Sequence, residues 1–451
     1  MIGLSGALGT GLFLGSGSVI GLAGPATIFS FLIAGAVALA VVWALAEMVA
    51  THPVAGGHGT IAGAYLGTRG GFVTRWNFAV ELLVAAGAEV TATATYIRYW
   101  FPQLPMWLVA VSVAVLIIAF NAFSVRIYGT AEYWFSMLKV VAAVAFILLG
   151  IALIVGAVPQ VEAIGVSNLY ALDGGFLPAG IVGVLAASCM AVFSFGGVEI
   201  VSSTAAESED PQRAIPKAAS AMIWRILIFY VAAIGVVLAL QPWHMTASTG
   251  SVLTESPFVR ALQLSGVTVA ADVMNAVLIV AALSAANSCV YAATRMIHAL
   301  AEDRQAPKVG AKLAKNGTPV GALGMAVIGL AVAAVLSAVA PDSAFLILLG
   351  AATVAILINW AIIMLTHVAF RRAWLAGKVG EANIPSVKLV RGAPFVNYLV
   401  VAACVAVFVA LYWLMPIAVY VGVPYLLALF VAFELLNRSR ALPSAPQLNL
   451  A

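Results

Sequence analysis

Charged residues are scarce in this sequence. Asp, Glu, Lys and Arg together make up 8% of the 451 residues, whereas an ordinary soluble domain carries about 25%. Apolar residues make up 64%. A soluble fold of this length cannot bury so much apolar surface, so the composition predicts an all-α polytopic membrane protein.

Cysteine and histidine are also few. The three cysteines, Cys189, Cys289 and Cys404, lie far apart in apolar stretches, a distribution that indicates neither a disulfide framework nor a metal site. The five histidines form no cluster of ligands. We therefore expect no metal and no cofactor. No basic lead precedes the first apolar run, so a cleavable signal peptide is not predicted.

Clusters of charged, Pro and Gly residues divide the chain into twelve apolar segments, each about as long as a bilayer core requires. The segments cover approximately residues 1–22, 25–50, 73–101, 105–124, 130–157, 178–204, 218–240, 267–300, 319–340, 343–369, 394–415 and 417–437. With the N-terminus inside, only Arg98 and Arg260 fall in outer loops. This asymmetry predicts twelve transmembrane helices with both termini cytoplasmic. It also accounts for the net charge of +4, so nucleic acid is not an expected partner.

Glycines cluster in the first segment, in "GALGTGLFLGSGSVIG" from Gly6 to Gly21. A dinucleotide-binding fingerprint needs a third glycine where Leu14 follows Gly9 and Gly11, so nucleotide binding is not expected. Two interpretations remain. The glycines are either close-packing positions between helices, or they break the helix at Gly9-Thr10-Gly11. Broken backbone at membrane depth is tolerated only where it lines a cavity.

A second glycine interruption lies half a chain away, in "FSFGGVE" from Phe193 to Glu199. Transporters built on inverted repeats place a broken helix at the start of each half, and matching interruptions indicate the substrate site. Half-helix N-termini present N–H groups to a carboxylate, and unwound carbonyls accept hydrogen bonds from an ammonium. The two interruptions together favour a transporter whose substrate carries both groups, as an amino acid does.

The motifs around both interruptions, "GALGTGLFLGSG" and "FSFGGVEIVSSTAAESEDPQRAIPKA", resemble helices 1 and 6 of the amino acid/polyamine/organocation (APC) superfamily. Four further stretches resemble its helices 3, 5, 8 and 10: "WNFAVELLVAAGAEVTATATYIRYWFPQLPMW", "VRIYGTAEYWFSMLKVV", "LSAANSCVYAATRMIHALAEDRQAPK" and "INWAIIMLTHVAFRRA". Within the superfamily, the chain most resembles the amino acid transporter family of bacterial permeases, over nearly its whole length. The resemblance implies a LeuT-like 5+5 inverted repeat with broken helices 1 and 6, and amino acid import by alternating access.

The resemblance also implies how the chain is organised. Residues 1–157 would form the first inverted repeat (helices 1–5) and residues 178–369 the second (helices 6–10), with helices 11 and 12 in 394–437 and a cytoplasmic tail in 438–451. Members of the family usually have a polar lead and a full half-helix before the first break. Here only eight residues precede Gly9, about 12 Å of helix, so the sequence suggests a shortened start.

Each break contributes three residues to the substrate site that the resemblance implies. These are Ala7, Thr10 and Gly11 at the first break, and Phe193, Ser194 and Gly196 at the second. The first three would meet the substrate carboxylate, and carbonyls of the second three its amine, with the Phe193 ring as a gate. The alternatives are a Thr10 hydroxyl bonded back into its own helix and a Phe193 ring in lipid or core contact.

Lys139 lies deep in an apolar segment with no acid beside it. A charge at that depth costs about 2.5–3.5 kcal/mol on insertion scales and indicates function by default. Lys139 also matches a fifth-helix lysine that, in the superfamily, stands where sodium-coupled relatives hold a sodium ion, which implies proton coupling. Glu89, on one face with Thr93 and Tyr96, is predicted as a second proton or selectivity site. Snorkelling of Lys139 and a hydrogen-bonded structural role for Glu89 are the alternatives.

Four more polar residues are predicted to support the site: Glu199, Ser284, Asn287 and Ser288. Glu199 closes the second break, where it would either brace unwound backbone or take part in coupling. Ser284, Asn287 and Ser288 fall at i, i+3 and i+4, on one face of the eighth segment. The two serines are candidate partners for Lys139, and packing between helices is the alternative.

The prediction is therefore a proton-coupled amino acid symporter, and not an enzyme, since no nucleophile–base pair occurs within a segment. The expected partners are an amino acid, the proton and the lipid bilayer, and the oligomeric state is not predicted. Two mechanistic alternatives remain open, an amino acid exchanger and a sodium-coupled symporter. A non-transporting amino acid sensor is the alternative of another class. The third-helix motif "GAEVTA" favours a neutral or aromatic substrate.

Overall fold

The computed structural model describes residues 9–54, 56–122, 125–159, 161–172, 174–199, 211–246, 255–379 and 388–439. Within these ranges the chain is all-helical and contains no strand. The helices are α1 (Thr10–Phe13), α2 (Ser16–Ala23), α3 (Thr27–Thr51), α4 (Gly57–Arg98), α5 (Met106–Ala122), α6 (Val125–Val155), α7 (Gly180–Ala191), α8 (Pro211–Leu240), α9 (Trp243–Thr246), α10 (Pro257–Leu264), α11 (Thr268–Glu302), α12 (Val320–Val339), α13 (Ala344–Leu375), α14 (Phe395–Leu414) and α15 (Pro416–Ser439).

Nine helical stretches among the described residues are long and apolar enough to cross a membrane. The stretch Ser16–Thr51 counts as one of them, although a turn at Gly24 (φ +59°) separates α2 from α3. Two further apolar helices, Met106–Ala122 and Gly180–Phe195, are shorter. The described part of the chain is thus a helical membrane protein, as the composition predicts.

Most helix ends lie within a few residues of the predicted segments, and α4 is the main difference. It begins at Gly57, whereas the predicted segment begins at 73. Gly67, in the left-handed region (φ +82°, ψ +172°), kinks the helix. Such a backbone conformation suits glycine, which lacks a Cβ. Glycines around this position predict a loop, but helix continues on both sides of the kink.

The helices pack around two large apolar cores. The first core joins α1, α2, α3, α7, α8 and α13, with Phe31, Phe195 and Tyr230 at its centre. The second core joins α4, α5, α11 and α12. Helix α4 also packs along α13, so it borders both cores. Helix α11 borders both as well, because its buried residues in 271–282 belong to the first core and those in 286–301 to the second. This arrangement places the face of α4 that carries Glu89 against the start of α1.

Apolar side chains also cover the outer faces of α5, α12 and α14. Val115, Ile328 and Trp413 are examples, each more than half exposed. Exposed large apolar residues on helices of this length are typical of surfaces that meet lipid hydrocarbon rather than water. Many polar side chains of the described spans are buried between helices, and some of them form the site described next.

Candidate functional site

The first predicted break lies at the start of α1. Gly9 has extended backbone (φ −115°, ψ −163°), and the helix begins at Thr10 with no side-chain cap. The first N–H groups of a helix have no partner within it. Here the Thr10 N–H donates to the Glu89 carboxylate, at 3.0 Å from Oε1 and 3.3 Å from Oε2. Glu89 on α4 thus occupies the anion-binding position that a helix N-terminus offers.

The second predicted break follows α7. A 3₁₀ turn, Val192–Phe195, ends the helix. Gly196 is extended (φ −60°, ψ 152°), and Gly197 is in the left-handed region (φ +86°), which glycine adopts without strain. Helical hydrogen bonding is therefore interrupted at the glycine pair.

Glu199 stabilises this interruption. Its buried carboxylate accepts from the Gly197 N–H at 3.0 Å and from the Trp360 indole N–H on α13. The bond to Gly197 corresponds to the bracing role considered for Glu199. Two of the carbonyls expected to meet a substrate amine also have partners within the protein. The Ser194 carbonyl accepts from the Tyr230 hydroxyl at 2.7 Å, and the Phe193 carbonyl from the Gly196 N–H at 3.0 Å.

The two breaks lie against each other. A Cβ atom on Gly11 would stand 2.8 Å from Ser194 Cα and 3.0 Å from Phe193 Cδ1. A Cβ on Gly9 would stand 2.4 Å from Glu89 Oε1. The close approach of α1 to the 3₁₀ turn therefore requires glycine at position 11, and a side chain at position 9 would displace the Glu89 carboxylate.

A small cavity of about 40 Å³ lies between the breaks and α4. Four of the predicted substrate residues line it, Gly11, Phe193, Ser194 and Gly196, together with the predicted coupling residue Glu89. Thr10 is not among the lining residues, but its N–H donates to Glu89, which lines the cavity. Ala7 lies outside the described residues.

Lys139 on α6 is 1% exposed, and its charge interacts electrostatically with Glu89. The two predicted coupling residues are therefore both buried and within electrostatic range of each other. A lysine in such a position is expected to need compensating charge or hydrogen bonds, since an isolated buried ammonium is costly.

The polar face of α11 is divided between two surroundings. Ser284 and Ser288 are buried. Asn287 is half-buried and turns toward α5, where its Oδ1 accepts from Asn121 Nδ2 at 2.7 Å. Asn287 therefore joins α11 to α5, which corresponds to the packing alternative for this residue.

Three buried residues beside the site are not singled out in the predicted set: Glu81, Asn359 and Trp360. Asn359 on α13 donates to the Glu81 carboxylate, while its neighbour Trp360 donates to Glu199. Glu81 also lines the cavity. The sequence offers two signals for these residues: an acid within the third apolar segment, and an Asn–Trp pair, in "INW", within the tenth. Over the described ranges, no cluster of His, Cys, Asp and Glu is suited to hold a metal ion.

Comparison with known proteins matches residues 1–443 of the chain to the family described as "Amino acid permease". The aromatic amino acid transport protein AroP of Escherichia coli K12 is 43% identical over 374 residues, which are 83% of this chain and 80% of that protein. AroP of Salmonella typhimurium LT2 is 43% identical over 376 residues, with the same coverage. The probable threonine/serine transporter YbxG of Bacillus subtilis is 35% identical over 436 residues, 96% of this chain and 92% of YbxG. The chain belongs to the amino acid permease family of the APC superfamily.

Proposed function

We propose that this chain imports amino acids across the cytoplasmic membrane by proton symport with alternating access. The observation that carries the proposal is the hydrogen bond from the Thr10 N–H to the Glu89 carboxylate. A substrate carboxylate would use the same helix N-terminus. Two carboxylates at such short range repel each other, so both cannot remain ionised there. Protonation weakens the hold of Glu89 on the N-terminus and thereby couples the proton to the substrate.

Lys139 supports a proton rather than sodium as the coupling ion. Its ammonium already supplies a buried positive charge within electrostatic range of Glu89, in the helix where the superfamily resemblance implies the sodium position. A second cation at this position would be repelled by the ammonium. Lys139 and Glu89 are therefore the proposed coupling residues, with Ser284 and Ser288 as supporting polar groups.

The size of the cavity supports alternating access. A cavity of about 40 Å³ has room for a few water molecules and is too small for an amino acid. Residues of both apolar cores line it, since Phe193 belongs to the first core and Leu82 to the second. A shift of one core against the other would widen the cavity. We propose that such shifts open it toward one side of the membrane at a time.

The proposal includes the architecture that the resemblance implies. This is a LeuT-like 5+5 inverted repeat of twelve transmembrane helices with both termini cytoplasmic, in which residues 1–157 and 178–369 are the repeats, 394–437 add two helices and 438–451 form a tail. Support comes from the two non-helical positions, Gly9 and Gly196, which fall near the start of each proposed repeat.

For the substrate, we propose an amino acid with a neutral or aromatic side chain. The substrates in the names of the relatives, aromatic amino acids for AroP and threonine/serine for YbxG, support this class. The cavity wall also favours it, because Glu81 and Glu89 both face the cavity. These two carboxylates would repel an acidic side chain.

The proposal is tested by uptake of labelled phenylalanine or threonine into proteoliposomes. With an inward proton gradient, we expect accumulation above equilibrium that is unchanged when choline replaces sodium and is abolished by a protonophore. Glu89→Gln keeps the shape of the side chain but cannot titrate. We expect this variant to equilibrate the substrate without accumulating it. Lys139→Ala is also expected to lose proton-driven accumulation.

Glu434→Gln is the matched control, because it removes an acid that is 44% exposed, pairs with Arg69 and does not line the cavity. It should accumulate substrate as the unaltered chain does. Accumulation that requires sodium would identify sodium, and not the proton, as the coupling ion. Flux that occurs only against preloaded amino acid would indicate an exchanger. Binding without flux would indicate a sensor. Full proton-driven accumulation by Glu89→Gln would contradict the role proposed for Glu89.

A further inference from the structure

A large apolar crevice opens between α3, α7, α13 and α14, apart from the small cavity described above. Its volume is about 670 Å³, within the range of about 300–1,000 Å³ that small-molecule sites span. Val182 on α7 and Trp413 on α14 flank its mouth, and they are 74% and 72% exposed. Helices α3, α13 and α14 belong to stretches long and apolar enough to cross a membrane, and α7 belongs to a shorter apolar helix, so the mouth faces lipid rather than water.

The crevice wall has almost nothing to offer a polar ligand. The Ser188 hydroxyl donates to the Val184 carbonyl at 2.7 Å, and the Cys189 thiol to the Leu185 carbonyl at 3.3 Å. The Trp360 indole N–H is directed to Glu199. The remaining heteroatoms of the lining side chains are the Cys404 thiol, a weak hydrogen-bonding group, and the indole nitrogen of Trp413, which lies at the mouth. The chemistry therefore fits a hydrocarbon.

The length of the crevice matches one leaflet of a bilayer. Its walls include residues 182–192 of the α7 segment and 403–414 of α14. At a rise of about 1.5 Å per residue, each wall is about 15 Å long. That length is half of the hydrocarbon core, which is about 30 Å thick. A groove that is open to lipid, apolar and one leaflet deep has the dimensions of a single acyl chain.

We propose that this crevice binds one acyl chain of a bilayer phospholipid. Trp360 forms the wall between the crevice and the interrupted helix, because its ring lines the crevice while its N–H holds Glu199, which in turn holds Gly197. The bound chain packs against the ring that positions Glu199. The inference does not depend on the transport mechanism, and its test needs no transport.

The test uses the purified full-length chain in nanodiscs of phosphatidylethanolamine and phosphatidylglycerol, with a trace of phosphatidylcholine that carries a diazirine halfway along one acyl chain. After photolysis, the adducts are mapped by peptide mass spectrometry. We expect adducts to be several-fold denser on the crevice faces of α7 and α14, around Cys189 and Cys404, than on α5. Helix α5 provides the reference for bulk lipid contact, because its exposed face lies outside the crevice.

Two neighbouring alanines provide a matched pair of variants. Ala403 lines the crevice, whereas Ala402 is exposed and does not. Ala403→Phe fills the crevice and should reduce the adducts on both walls several-fold, while Ala402→Phe should leave them unchanged. Ala186→Phe fills the crevice from the opposite wall and replaces Ala403→Phe if that variant does not elute as a folded protein. Equal labelling of α5 and α14, or labelling that neither filling variant reduces, would overturn the proposal.

Discussion

At Gly11, one added methyl group would push apart the two breaks that form the cavity. Its nearest contacts would be Ser194 Cα at 2.8 Å, a backbone atom that cannot turn aside, and the Phe193 ring at 3.0 Å. Overpacking of this kind costs about 1–3 kcal/mol. We expect Gly11→Ala to reduce the initial rate of uptake about tenfold or more, since about 1.4 kcal/mol corresponds to a factor of ten. Uptake is measured at equal amounts of protein in the membrane.

Gly324→Ala is the control for this substitution. Gly324 lies in α12, is exposed, and has no atom within 4 Å of an added Cβ. Because alanine favours helix more than glycine does, the control should fold at least as well and transport normally. If Gly11→Ala transported as well as Gly324→Ala, the close approach of the two breaks would not matter for uptake.

The sequence predicts which residues at the site are unusual for an apolar helix. It does not predict which residues they bond to. The glycines at 11 and 196 and the acid at 89 stand out because glycine and charge are unfavourable within an apolar helix. The bond between Thr10 and Glu89 joins positions 79 residues apart, and that between Asn359 and Glu81 joins positions 278 apart. Contacts of this kind depend on how whole helices pack, so no local pattern predicts them.

At the scale of elements, a buried ionic cluster joins the end of α3 to α13. The Glu47 carboxylate is fully buried and meets His367 Nε2 at 2.9 Å and Arg371 Nη2 at 2.6 Å. It also accepts from the Val390 N–H at 2.8 Å, which ties in the segment before α14. Three separate parts of the fold, α3, α13 and the segment before α14, thus meet at one carboxylate.

We expect Glu47→Gln to destabilise the protein strongly. The amide keeps the size of the side chain but leaves Arg371, whose side chain is 12% exposed, without its counter-charge. Removal of one partner from a buried ion pair costs about 3–5 kcal/mol. The midpoint of thermal unfolding in detergent, followed by size-exclusion chromatography, should therefore fall clearly below that of the unaltered chain.

The exposed pair of Arg69 and Glu434 is the comparison for this effect. Their side chains are 59% and 44% exposed, and surface pairs of this kind contribute about 0–1 kcal/mol. Glu434→Gln should change the midpoint little. A midpoint for Glu47→Gln as high as that for Glu434→Gln would show that the buried cluster contributes no more than a surface pair.

The elements that composition does not predict are short or bent. Helices α9 and α10 lie in a loop of the predicted topology. Helix α10 begins after Ser256, whose hydroxyl accepts from the Phe258 N–H at 3.2 Å and donates to the Phe13 carbonyl at 2.6 Å. Such a helix is stabilised by a cap and by contact with α1, whereas a span is predicted by its long apolar run. Apolar runs therefore predict the number of long helices, whereas caps and contacts with other helices determine the short ones.

At the scale of the whole molecule, the two apolar cores are the natural units of motion. The first core contains both breaks and the first half of α11, and the second contains α5, the second half of α11, most of the buried residues of α12 and much of α4. The cavity lies where they meet, so relative movement of the cores changes its access while each interior stays packed. Close-packed interiors resist deformation, which favours movement between cores over movement within them. Sequence analysis predicts paired breaks but not this division, which depends on inter-helix contacts.

Distances between spin labels test this movement. Ile228 lies on α8, a helix of the first core, and Ile328 lies on α12, a helix of the second core. Both side chains are more than 60% exposed. The three native cysteines are buried, so cysteines introduced at these two positions are the accessible labelling sites. With an amino acid substrate at acidic pH, double electron–electron resonance should show a change in the distance distribution between 228 and 328.

A second pair, Val115 on α5 and Ile328, lies on helices of the same core that pack directly together, and its distribution should stay unchanged. Constant distances for both pairs, in a chain that still transports, would mean that access changes by local movement around the breaks rather than by displacement of one core against the other.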